Sequence, residues 1–225
     1  MFGGVRHNAA LFALVMLVSC GCRPAAPPTA MSTRLATTGT SHRRGLAAAK
    51  DLFYKAVAGD LDSLPSSLQM LYEMGGGESP DPQVVAYTGA ATLLKASHAP
   101  LLEKNGLAHQ GLVLEDKAVA QAPNNLEVRF LRGVTCYRLP KFMGRSELAS
   151  SDLAYVAQRA EPAVRQGRLD PRAGAAALVY YGKDLEQNYD ATGAISAWRA
   201  AARIDPDGIA GRDAVKHLVE HQVAP

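Results

Sequence analysis

Two histidines and a glutamate near the end of the chain have the spacing of a zinc site. His217-Leu218-Val219-Glu220-His221 sets two imidazoles four residues apart. On a helix both project from one face, beside a carboxylate that would serve as general base. Such a site needs a further carboxylate ligand, well downstream on another helix, and here Gln222-Val223-Ala224-Pro225 follow. The segment therefore reads first as the polar face of a capping helix, and a zinc-dependent hydrolase stands as the alternative function. Other chemistry is thinner. Cys136 is a single thiol at a helix position that packs toward neighbours, and a buried thiol behaves as a small hydrophobe. No G-x-S-x-G, no G-x-x-x-x-G-K-[ST] and no G-x-G-x-x-G after a strand occurs. Gly75-Gly76-Gly77 is followed by Glu78 and reads as a hinge more than a phosphate cradle. These patterns lead us to expect no catalytic residue, no metal and no cofactor.

A different chemistry is written near the start. Arg6 and His7 precede about ten apolar residues between Ala9 and Val18, the length of a signal-peptide core. A membrane-spanning helix needs roughly 20. Next comes Leu17-Val18-Ser19-Cys20, aliphatic at −3 and small at −1 before a cysteine. This resembles the lipobox of bacterial lipoproteins. The resemblance implies cleavage before Cys20 and acylation of its thiol and new amine. An ordinary secretory signal is the other reading, and Cys22 is a weaker acceptor because Ser19 would stand at its −3 position. Two or more acyl chains anchor stably where one does not. Gly21 at +2 is not the Asp that favours inner-membrane retention in enterobacterial lipoproteins, so the expected location is the outer membrane, facing the periplasm.

The elements behind these residues follow from composition. The chain has 225 residues, 48% of them hydrophobic and 20% charged, with a formal charge of +3. That length suggests one domain, two at most, and allows on the order of 70% of the unfolded surface to be buried. Removing Arg6 with the leader leaves +2, too little to expect nucleic acid as partner. Three cysteines exclude a disulfide-dense scaffold. Residues 1–19 are read as signal peptide and residues 20–44 as the acylated cysteine with a flexible tether. From residue 23 on, that tether is rich in Pro, Ala, Ser and Thr and too poor in apolar side chains to offset its ordering entropy. Residues 45–223 are read as the folded part.

From Gly45 onward the periodicity is helical, with Gly and Pro falling between helical blocks. The clearest block starts at Ala175. Counted from there, Gly182 is position 8, Ala194 is 20, Trp198 is 24, Ala201 is 27 and Pro206 is 32. These intervals resemble the tetratricopeptide (TPR) repeat, in which small residues let paired helices approach and an aromatic fills the hole against the next pair. An earlier repeat counted from Leu126 puts Gly133 at position 8, and another starts near Pro82 with Gly89 at 8. About ten extra residues are expected around His98 to Gly106, and a long loop from Pro140 to Arg145. A helix from Ser146 to Ala160 should stop before Pro162. Pro82, Pro123, Pro162 and Pro206 recur at intervals of 41, 39 and 44, longer than the TPR period of about 34, and a HEAT-type period competes. Upstream, Leu46–Ala58 and Leu61–Met74 form one more pair. Downstream, Gly208–Val223 reads as a capping helix in which Ile209, Ala214 and Leu218 cover the last repeat. The expected fold is all-α: a short right-handed TPR-like solenoid of about nine antiparallel helices.

In TPR proteins, positions 2, 5, 9, 12 and 13 of the first helix line a concave groove. The resemblance carries this role to Glu127, Phe130, Val134, Tyr137 and Arg138, and in the last repeat to Lys183, Glu186 and Gln187, with Ala176 and Val179. An aromatic pair beside an arginine suits an interaction hot spot, although Phe130 and Tyr137 could equally pack between repeats. Arg129 and Arg132 occupy positions where large apolar residues are usual. They either pair with acids such as Asp152 or Glu127 or reach a ligand carboxylate. The function expected is a lipid-anchored scaffold binding a protein or peptide partner in the cell envelope. In architecture this resembles the lipoproteins of the β-barrel assembly machinery and the pilotins of secretin systems. A binding accessory of an envelope transporter is a further alternative.

Overall fold

The computed structural model describes residues 30–77 and 79–222. The chain divides into two units, Met1–Thr37 and Thr38–Pro225. The expected leader, Cys20 and the tether as far as residue 29 lie outside the described residues. Among those described, all regular structure is helical: α1 (Ala30–Val57), α2 (Ser63–Gly75), α3 (Pro82–His98), α4 (Leu101–Gln121), α5 (Leu126–Arg138), a 3-10 turn at Lys141–Met143, α6 (Ser146–Arg165), α7 (Pro171–Gln187), α8 (Ala191–Ile204) and α9 (Ile209–Glu220). The pairs α3/α4, α5/α6 and α7/α8 pack as antiparallel hairpins, successive pairs stack, and α9 lies on α7 and α8. The fold is the all-α helical-repeat architecture expected, with a C-terminal capping helix.

Local chemistry sets where the first helix of each pair begins. Asp81, Asn125 and Asp170 each stand at an N-cap, their side-chain oxygens accepting from backbone N–H groups of the first turn. Pro82 and Pro171 follow at positions whose missing N–H costs nothing. Inside each pair a position-8 glycine lies against the second helix. A Cβ on Gly89 would stand 2.8 Å from the Gly111 carbonyl oxygen, and one on Gly133 3.1 Å from Asp152 Cβ. One on Gly182 would meet the Trp198 ring, 2.7 Å from Cδ1. Trp198 is fully buried and its Nε1–H donates to the Val179 carbonyl at 3.2 Å.

Four sequence expectations need correction. Residues 98–106 are not an inserted loop: α3 and α4 break only at Ala99-Pro100, and the extra length extends both helices. The fixed φ of Pro100 turns the chain, and Leu101 starts the next helix at once. Helix α6 does not stop before Pro162 but runs through it to Arg165. The carbonyl left without its N–H belongs to Gln158, an exposed residue, while fully buried Ala160 and Ala163 hold the helix to the core on both sides. Helix α1 begins at Ala30, ahead of the boundary at residue 45, although Leu46 is its first buried side chain among those described. Ile209 does not cover the last repeat; it is half exposed, and Ala214 and Leu218 do the packing.

The two unusual arginines of α5 are structural. Asp152, fully buried on α6, accepts from Arg129 Nη1 at 2.7 Å, from Arg132 Nε at 2.7 Å and from Arg132 Nη2 at 3.2 Å. Breaking a buried pair on one side leaves uncompensated charge. Asp152→Asn is expected to lower stability by about 2 kcal/mol, read as a shift of the urea midpoint with an unchanged slope.

Candidate functional site

Helix α1 reaches the first helix of every later pair. Lys50 donates to Glu127 Oε1 on α5 at 2.5 Å and stands 4.0 Å from Asp170 at the head of α7. The hydroxyls of Tyr54 and Tyr87, on α3, meet at 3.2 Å. From α7, Arg172 pairs with Asp51 at 2.9 Å and lies over the Tyr54 ring at 4.1 Å. Meanwhile Ser67 of α2 donates to the Ala49 carbonyl at 2.9 Å. α1 thus forms a wall against the first helices of the three pairs.

Between that wall, α3, α5, α7 and α9 lies a cavity of about 1040 Å³. Its apolar lining includes Leu94, Phe130, Val134, Ala176, Val179 and Ile209. Charged groups ring it, among them Lys55, Asp51, Arg138, Arg212 and Asp213. Asp51 is held by Arg172, and Asp213 by Lys183 at 2.8 Å. Lys55 and Arg138 make no ion pair among the described residues and are exposed. The site therefore joins apolar surface to two uncommitted cations. Its volume lies at the upper end of the roughly 300–1,000 Å³ usual for small-molecule pockets.

Of the eight residues expected to line the groove, the structure brings Phe130, Val134 and Arg138 to the cavity, and the companion positions Ala176 and Val179 as well. The other five are engaged elsewhere. Glu127 is buried beneath α1 against Lys50, so it anchors the wall and does not face the cavity. Tyr137 packs edge-on to Tyr180 at 5.3 Å and accepts from Gln187 at 2.6 Å. Lys183 holds Asp213, and Glu186 meets His221 at 2.7 Å. The same positional rule counted from Pro82 puts Ala90, Leu93 and Leu94 at positions 9, 12 and 13, and all three line the cavity. That signal was available in the sequence. The contribution of α1 and of Ile209 and Asp213 was not, because it depends on packing between elements far apart in the chain.

The histidine pair has a packing role. His217 stacks on Trp198 at 4.7 Å and 17° between planes, and His221 tilts over the same ring at 5.2 Å. Their nearest acids are Asp213, Glu220 and Glu186. Among the described residues no three His, Cys, Asp or Glu side chains gather as a metal cage. Cys136 is buried, and burial pushes its thiol up, which opposes nucleophilic use.

No family model and no curated protein matches the chain. Solved structures of MamA do. One, "MamA MSR-1 C2", is 21% identical, covering 81% of this chain and 88% of that one with a TM-score of 0.43. Another, from AMB-1, is 19% identical, covering 80% and 85% with a TM-score of 0.41. At these values the likeness says nothing about the site.

Proposed function

We infer that this chain is a helical-repeat scaffold that holds a segment of a protein partner in its concave cavity and is tied to the bacterial envelope by acyl chains on Cys20. The cavity carries the first half of that reading: apolar surface from several helices, with Lys55 and Arg138 uncommitted at its edge. Apolar anchors surrounded by charge suit a peptide, which brings backbone polarity and side chains together. The lipobox resemblance at Leu17–Cys20 supports the second half. Gly21 at +2, in place of the Asp that favours inner-membrane retention, supports an outer-membrane position facing the periplasm.

The test is capture of partners from solubilised envelopes with and without charge and shape changes in the cavity. Phe130 is only 5% exposed, so truncating it would disturb the core. Half-buried Val134 is the better site. Val134→Glu combined with Arg138→Glu is expected to lower partner recovery at least about tenfold, with helical content by circular dichroism unchanged. Equal recovery with the folded double variant would refute the cavity assignment. Separately, labelled palmitate is expected to enter the wild-type chain and to be lost in Cys20→Ser.

A further inference from the structure

The two ends of the helical hairpins differ in chemistry. At one end the connections carry the polar caps Asp81, Asn125 and Asp170. At the other, the turns from α3 to α4 and from α5 to α6 expose large apolar side chains. Leu101 is 79% exposed, Leu102 98% and Phe142 89%, with Met143 beside it. These turns share one edge of the stack, since Ser97 at the end of α3 and Leu139 at the end of α5 line the same cavity. Phe142 sits on the 3-10 turn, held in place by Gly144 in the left-handed region at φ 69° and by Arg145, whose guanidinium grips Asp116 at 2.8 Å.

The charge around these tips is positive. Lys95, Lys104, Arg138 and Lys141 flank them, against Glu103 and Glu147. None of those four cations makes an ion pair among the described residues. Protruding Leu and Phe tips within a girdle of uncommitted cations match the interface of an anionic bilayer: apolar side chains reach the acyl boundary while ammonium and guanidinium groups stay at headgroup level. No described helix is long and apolar enough to cross a membrane, so the contact is peripheral.

We propose that the edge formed by the α3–α4 and α5–α6 turns docks onto an anionic lipid surface through Leu101, Leu102 and Phe142, steered by Lys104 and Lys141. The contact does not need acylation of Cys20. It would orient the scaffold on the membrane, with the cavity opening close to the lipid.

The experiment reads insertion residue by residue on the full chain. Phe142→Trp is compared with Gln121→Trp, which lies at the far end of α4, about 30 Å from Leu101. Each is bound to vesicles of equal parts phosphatidylglycerol and brominated phosphatidylcholine, and Trp198, fully buried, serves as internal reference. The Phe142→Trp emission is expected to shift to the blue and fall roughly twofold, with Gln121→Trp unaffected. Lys104→Glu with Lys141→Glu should weaken that quenching at least about tenfold in the lipid concentration required. An acyl chain or leader can hold the chain on any vesicle, but it gives no position-specific quenching at Phe142. Equal quenching at both sites, no quenching at Phe142 in vesicle-bound protein, or the same result without phosphatidylglycerol would each overturn the proposal. So would a photoreactive benzoyl group introduced on the residue 142 side chain that crosslinks, in intact envelopes, to another protein and not to lipid, which would assign the edge to a protein partner. Loss of partner capture in the cavity variants is a separate readout, so either reading can fail alone.

Discussion

Trp198→Ala is expected to lower stability by about 3–5 kcal/mol, the range for truncating a fully buried aromatic side chain. The ring fills the space between α7, α8 and α9: it faces Gly182, bonds the Val179 carbonyl and carries His217 and His221 on its surface. Removing it leaves a cavity and a cap with nothing to stack upon. Gly182→Ala tests the same contact from the other side. Its methyl group would meet the indole at 2.7 and 2.8 Å from Cδ1 and Cε2, and the rigid ring cannot swing aside without pushing α8 away. A loss of about 1–3 kcal/mol is expected from such overpacking. Combined, the two changes should be far from additive. In the Trp198→Ala background, Gly182→Ala finds open space and gains up to about 1 kcal/mol of helix propensity. Urea unfolding of the four proteins closes the cycle. Additive losses would show that the two residues do not share this contact.

The second large effect is one of pH. Glu115 on α4 is fully buried, with one oxygen accepting from the Thr135 hydroxyl at 2.8 Å and the other without a partner. Burial pushes its carboxyl up from 4.5 to about 8, against the opposing pull of the Thr135 hydrogen bond and of Arg132 and Arg145, with Asp116 adding to the rise. The native chain therefore keeps a proton that the unfolded chain releases near 4.5. The contribution of this group to stability is fully present below pH 4.5 and is lost as pH rises through about 8. The expected slope approaches 1.4 kcal/mol per pH unit between those limits. Glu115→Gln keeps the shape and removes the titration. Its stability should match wild type near pH 5 and exceed it by up to about 4 kcal/mol above pH 8. Urea midpoints across this range check the difference, which cancels the histidines common to both proteins. Parallel pH profiles would show that Glu115 is ionised throughout.

Much of the fold was legible because the signals that carry it are local. Gly89, Gly133 and Gly182 mark the close crossings of three helix pairs and Pro82 marks where α3 begins, whereas the last repeat, counted from Ala175, starts four residues inside α7, which begins at Pro171. The pairing of Arg129 and Arg132 with Asp152 was one of two open choices, and a buried carboxylate decided it. Pro162 misled because a proline penalty of about 3 kcal/mol can be outweighed by flanking residues packed in the core, which no short window displays. His98 to Gly106 misled for a related reason: surplus length beyond a repeat period can lengthen helices as readily as it makes a loop.

The candidate site was legible to the extent that each helix face was. Phe130, Val134 and Arg138 follow from repeat position alone, because side-chain direction along a helix is set by backbone geometry within four residues. Whether a side chain on that face meets open space or a neighbour is decided at another scale. Glu127 occupies a groove position, yet Lys50, far earlier in the chain, covers it. Repeat position thus put Phe130, Val134 and Arg138 on the inward face, while contacts made far along the chain, by α1 through Lys50, Tyr54 and Asp51 and by α9 against α7 and α8, decided what bounds the cavity.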